Sequence, residues 1–156
     1  MTTAACRETT ATSRSGPAGW IGGLERVPLA FHLLLFRLGV AGVFLKAGLV
    51  KAASWESTVT LFRDEYRVPV LQPALAAALA TTFELLCSSM LIVGFGTRLA
   101  TLPLLGMIAT IQLFVYPSAW PEHLVWGSIL LFVLTRGPGA VSLDHLIARV
   151  WMPRRP

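Results

Sequence analysis

Two side chains of opposite charge, Arg37 and Glu84, stand in the middle of two separate apolar segments of this 156-residue chain. A charge at membrane depth is costly, so each is expected to face a protein interior and to find a partner there. An Arg guanidinium can grip a carboxylate with two parallel hydrogen bonds, which suits a pair withdrawn from water. Such a pair can lock two helices together. An intramembrane carboxylate beside Arg and hydroxyls can also hydrogen-bond a quinone carbonyl or relay protons. Glu84 and Arg37 are therefore the candidate catalytic residues, and quinone is the candidate cofactor. Lys51, Gln112 and Tyr116 could add polar contacts to it. Gln112 and Tyr116 share one face of the third apolar segment.

Other chemistries find less support. A thiol oxidoreductase wants two nearby cysteines, but Cys6 lies near the start of the chain, Cys87 lies inside an apolar segment, and no C-x-x-C is present. Cys87 reads as a small packing residue, so any electrons would pass through a partner or a quinone. His32, His123 and His145 fall at different depths, which argues against a pair of facing haem ligands. Glu122 and His123 are adjacent and so point to different sides of a helix, while Met90, Met107 and Cys87 lack convergent spacing. No metal is expected. His123 alone remains as a candidate surface ligand or proton acceptor.

The composition says what must position these groups. The chain is 54% hydrophobic and 13% charged, against about 25% charged in a soluble domain. Its net charge of +5 comes from basic residues that flank apolar stretches. That pattern sets membrane orientation and does not form a nucleic-acid surface. Four apolar segments cover residues 27–51, 70–95, 99–116 and 120–134. A spanning helix needs about 20 residues. The predicted fold is all-α, a four-helix transmembrane bundle with a short amphipathic interfacial helix between spans 1 and 2. Trp55, Val59, Phe62 and Tyr66 define that helix, on a segment bearing Glu56, Arg63, Asp64, Glu65 and Arg67. Ser54 could cap it and Pro69 stops it. It would serve as a cover over the bundle or as a lid over a ligand pocket.

Helical spacing places Arg37, Ala41, Phe44, Gly48 and Lys51 on one stripe of the first span. Glu84 shares its face with Ala77, Ala80, Thr81, Cys87 and Ser88, opposite Leu75, Leu79, Leu86 and Val93. Small and polar residues on one side with Leu and Val on the other mark an interior face and a lipid face. Counted inward from the ends of their segments, Arg37 lies about 12 Å deep and Glu84 about 15 Å deep. Similar depth predicts a direct or water-bridged contact between them. Lys46 falls off the stripe and reads as an interfacial anchor.

Residues 1–26 read as a disordered cytoplasmic tail without a cleavable signal, residues 27–147 as the membrane domain, and residues 148–156 as a basic tail. Eight Lys and Arg residues fall on the side of both termini and three on the other, which places both termini in the cytoplasm of a bacterial inner membrane. Leu143, Leu146, Ile147 and Val150 form the membrane-facing side of a short helix opened by Ser142 to Asp144.

The run Arg37-Leu38-Gly39, then Gly48-Leu49-Val50-Lys51, then Glu84, then Gly94-Phe95-Gly96-Thr97-Arg98 resembles the DoxX family of small bacterial membrane proteins. The closing Gly137-Pro138-Gly139-Ala140-Val141-Ser142-Leu143-Asp144 is similar to that family's C-terminal signature. The resemblance covers residues 28–147 and implies a four-helix membrane bundle. It also implies a link to redox chemistry, since members serve as membrane subunits of thiosulfate:quinone oxidoreductase or associate with thiol and superoxide defence proteins. Phe62-Arg63-Asp64-Glu65-Tyr66-Arg67-Val68-Pro69 and Tyr116-Pro117-Ser118-Ala119-Trp120-Pro121-Glu122-His123 resemble a subgroup often encoded beside enzymes that modify metal-binding peptides. That implies a metal or oxidative stress response, with the lipid bilayer and a soluble redox partner or metal-binding peptide system as partners. A non-catalytic scaffold, or a small carrier for a metal or metabolite, is the alternative.

Overall fold

The computed structural model describes residues 27–151 except 68 and 70. Among the described residues there are six α-helices and no strand. Helix α1 is Leu29–Ala53, α2 is Trp55–Leu61, α3 is Pro73–Val93, α4 is Thr97–Thr110, α5 is Trp120–Arg136 and α6 is Leu143–Trp151. Two widened, π-helical turns extend α2 over Phe62–Tyr66 and α4 over Ile111–Val115. The expectations placed on residues 1–26, and on Arg154 and Arg155, lie outside the described residues.

Helix α1, helix α3 and α4 with its π extension are long and apolar enough to cross a membrane. Helix α5 has 17 residues, about 26 Å of rise. It closes a ring in which α1 packs on α3 and α5, and α4 packs on α3 and α5. The result is the four-helix transmembrane bundle, with α2 lying across one end of it. Its core is built from Val40, Ala41 and Phe44 of α1, Cys87 and Leu91 of α3, Ala100, Leu104 and Ile108 of α4, and Leu130 and Val133 of α5. Leu75, Leu79, Leu86 and Val93 are exposed and form the lipid-facing side of α3.

Small residues set the register of α1 against α3. Gly48 lets the helices approach so closely that a Cβ there would stand 3.0 Å from Glu84 Cβ. Position 48 is thus level with position 84, and in an antiparallel pair position 37 is level with about position 95. Helix α3 ends just before that level. Its Gly94, at φ +77°, closes the helix with Phe95 N–H donating to the Met90 carbonyl at 3.0 Å, a left-handed cap that suits glycine. Helix α1 runs eight residues further, and residues 137–142 fill the corner beside it.

The end of the chain is sewn to this corner. Asp144 accepts from the backbone N–H groups of Gly96 at 2.8 Å and Thr97 at 3.0 Å, and its own N–H donates to Gly94 O at 3.0 Å. A carboxylate from a distant segment therefore satisfies the free donors at the start of α4. Ser142 Oγ accepts from His145 N–H at 3.1 Å and caps α6. Ser54, by contrast, makes no side-chain cap at α2. Its carbonyl accepts the Thr58 N–H instead.

Candidate functional site

Arg37 and Glu84 are both buried, at 2% and 3% exposure, but they do not meet. The expected pair is replaced by two separate arrangements. Arg37 donates from Nη1 to Pro138 O at 2.7 Å and from Nη2 to Val141 O at 2.9 Å, with Ile92 O a further acceptor at 3.5 Å. Glu84 takes Lys51, whose Nζ lies 2.7 and 2.8 Å from its two carboxylate oxygens. The physical reason is the register. Depth counted from segment ends assumes that α1 and α3 end at one level, whereas α1 overshoots. Eleven residues of α1, about 16 Å, separate Arg37 from the level of Glu84.

The stripe itself holds. Leu33, Arg37, Val40, Ala41, Phe44 and Gly48 are the buried residues of α1, and Lys51 continues their side one turn beyond Gly48. Its long stem carries the ammonium back to the carboxylate. Lys46 is exposed.

The Lys51–Glu84 pair forms the polar end of a half-open cavity of about 430 Å³. Leu79, Ala80 and Phe83 of α3 and Pro103, Met107 and Ile111 on the α4 side supply much of its apolar wall. Pro103 sits inside α4 and contributes no N–H to Leu99 O. Phe62 and Tyr66 roof the cavity from the π turn after α2, their rings 4.8 Å apart. The roof is anchored twice. Thr58 Oγ1 donates to Lys51 O at 3.0 Å, and the Tyr66 ring meets the Tyr116 ring edge-on at 5.8 Å. Tyr116 in turn donates its hydroxyl to Glu65. That bond pushes the Tyr116 phenol up to about 12. Burial, then the Glu65 and Glu84 carboxylates, push the Tyr66 phenol up as well.

An ammonium has three N–H donors, and two suffice for the carboxylate oxygens, so Lys51 retains one for a ligand. A buried carboxylate beside it can accept a hydrogen bond or a proton. The cavity therefore suits a largely apolar molecule with a carbonyl at one end, and the residues present fit a quinone ring.

The other sequence-selected residues lie elsewhere. Gln112 and Tyr116 part company because the π turn widens after Thr110 and Tyr116 leaves helical geometry at φ −129°, ψ 72°. Tyr116 joins the roof, while Gln112 turns to α5. Gln112 Nε2 donates to Pro117 O at 2.8 Å, and Gln112 Oε1 lies 2.6 Å from His123 Nδ1. His123 is buried, at 7% exposure, and is not a surface residue. Among the described residues no three His, Cys, Asp or Glu side chains gather as a metal site would require. Cys87 is a free, buried thiol in the core. The roofing roles of Phe62 and Tyr66 were signalled only by their helical spacing. Nothing in the sequence marked Lys51 as the partner of Glu84 except its place on the stripe.

No curated protein and no solved structure matches this chain. The family model for DoxX matches residues 32–117, from the first turn of α1 through the end of α4. That stretch holds Arg37, Lys51, Glu84 and every residue lining the cavity beneath α2. It is more than half of the sequence, and the chain belongs to the DoxX family.

Proposed function

We propose that this protein is the membrane subunit of a quinone-linked redox system and that the cavity beneath α2 is its quinone site. The observation that carries this reading is the Lys51–Glu84 pair, with the carboxylate buried and the ammonium part-buried, at one end of an otherwise apolar cavity between α3 and α4. Lys51 would donate to a ring carbonyl, and Glu84 would hold Lys51 in place and take up or release the accompanying proton. The apolar walls would hold the ring and tail. Arg37 is assigned to structure, since its partners are backbone carbonyls.

The basic residues on the side of both termini favour the bacterial plasma membrane with both ends in the cytoplasm. Cys87 has no second thiol near it among the described residues, so electrons would come from a soluble partner. A role in oxidative or metal stress rests on the subgroup resemblance of residues 62–69 and 116–123. The alternative is a scaffold in which Lys51–Glu84 only ties α1 to α3.

Quinone binding separates the two. The full chain in nanodiscs is titrated with a decyl-substituted benzoquinone, read by quenching of tryptophan emission. Lys51→Met should weaken binding about tenfold, the worth of one hydrogen bond, and Lys46→Met should not. Equal affinity in wild type and Lys51→Met sinks the quinone site and leaves the scaffold.

A further inference from the structure

A second cavity of about 520 Å³ opens between α4 and α5. It lies on the face of α4 opposite the first: Leu105, Ala109 and Gln112 line it, whereas Pro103, Met107 and Ile111 line the other. Trp120, Leu124 and Leu131 complete an apolar lining around His123. The position of the imidazole proton follows from its neighbours. Gln112 Nε2 donates to Pro117 O, so its Oε1 is the end that faces His123. A carbonyl oxygen only accepts, so His123 Nδ1 carries the hydrogen. In the neutral ring Nε2 then bears a lone pair. Among the described residues nothing donates to it; the residue as a whole is 7% exposed, and Nε2 is not one of the buried atoms that lack a partner, so it is reachable from the cavity. A reachable acceptor set among apolar side chains can take a hydrogen bond from a guest in the cavity.

We propose that the α4–α5 cavity is a second ligand site, selective for an amphiphile whose headgroup donates a hydrogen bond, namely a long-chain phenol or hydroquinone. The headgroup donates to Nε2 of His123, and the tail runs along Leu124 and Leu131. The Gln112–His123 bond is the selecting device, because it fixes which nitrogen faces the ligand. The first cavity presents the Lys51 donor together with the Glu84 carboxylate, whereas this one presents an acceptor with no cation beside it. The site uses none of the residues assigned to quinone and stands without them.

The test uses the full chain in phosphatidylcholine nanodiscs under anaerobic conditions. Two probes are compared, a decyl-substituted hydroquinone and its dimethyl ether, which keeps the ring and tail but cannot donate. Binding is followed by emission of the tryptophans, since Trp126 lies 5.9 Å from the His123 ring and Trp120 lines the cavity. The hydroquinone is expected to bind about tenfold tighter than the ether. His123→Leu should erase that ratio, while Lys51→Met should leave it intact even if benzoquinone binding is lost. Equal binding of the two probes to wild type overturns the proposal and marks the cavity as filled by acyl chains. A ratio that survives His123→Leu overturns it too. Should His123→Leu fail to fold, the ¹⁵N spectrum of the wild-type imidazole decides. Added hydroquinone must shift the unprotonated nitrogen, and an unmoved Nε2 signal defeats the assignment.

Discussion

Gly48 of α1 rests directly on Glu84 of α3. A Cβ at position 48 would come within 2.9 Å of Leu85 Cδ2 and 3.0 Å of Glu84 Cβ. This contact sets the register of the leading hairpin and decides which cation the carboxylate receives. With position 48 level with 84, the ammonium of Lys51 can fold back one turn, and the guanidinium of Arg37 is out of reach. Substituting Gly48→Ala should therefore lower stability by about 1–3 kcal/mol through overpacking. Thermal unfolding in nanodiscs measures this. An unchanged midpoint would mean that the two helices stand farther apart at this level.

Independent partners predict independent energetics. The double variant Arg37→Leu/Glu84→Gln should be additive within about 0.5 kcal/mol, as for sites more than about 10 Å apart. Lys51→Met/Glu84→Gln should instead show coupling of about 0.5–3 kcal/mol. Chemical unfolding of the three single and two double variants checks both. Coupling between Arg37 and Glu84 would restore the direct pair.

Arg37 is a clamp on backbone. Removing its head leaves the part-buried carbonyls of Pro138 and Val141 without a charged donor, each at about 1 kcal/mol. Arg37→Leu should accordingly loosen residues 137–142, seen as faster amide exchange and earlier proteolysis after Arg136. Lys at this position cannot span two carbonyls and should rescue only part of the loss.

Asp144→Ala should cost about 1 kcal/mol, the usual worth of a helix cap, although the cap comes from 47 residues away. Asp144→Asn keeps one acceptor and should fall between wild type and Ala. Hydrogen exchange at Gly96 and Thr97 reads the effect. Protection unchanged in Ala would show that their amides have another acceptor.

The roof should respond to alkali. Both tyrosines of this chain, Tyr66 and Tyr116, are held above the ordinary phenol value near 10. The raised phenols favour the fold while protonated. Their contribution is complete below about pH 10 and is lost as pH rises through the folded values, toward about 12 for Tyr116. Near-ultraviolet phenolate absorbance should therefore develop later than in the unfolded chain. Half-ionisation at the unfolded value would show that the Tyr116–Glu65 bond is absent.

Periodicity made the helices and their faces legible. The stripe from Arg37 to Lys51 and the small, polar side of α3 are one-dimensional patterns, and a straight helix preserves them. Partner choice was not legible, because it depends on the axial offset between two helices, and only the close approach at Gly48 reveals that. The site near Gln112 was hidden for another reason. A π turn adds a residue per turn without any sequence marker here, so Gln112 and Tyr116 depart from the shared face that α-helical spacing assigns them. The one available clue was that Gln112 and His123 are polar residues in apolar helices, joined by the short connection at Pro117–Ala119.

Two of the residues that line the cavity beneath α2, Leu79 and Phe83 of α3, are exposed on the flank of the bundle. A hydrophobic guest that enters past them would arrive by lateral diffusion within the lipid. Its governing concentration is moles per mole of lipid, which partitioning makes far larger than any bulk molarity. Modest intrinsic affinity would then be enough for occupancy in a bilayer, and detergent molecules entering by the same doorway would be direct competitors.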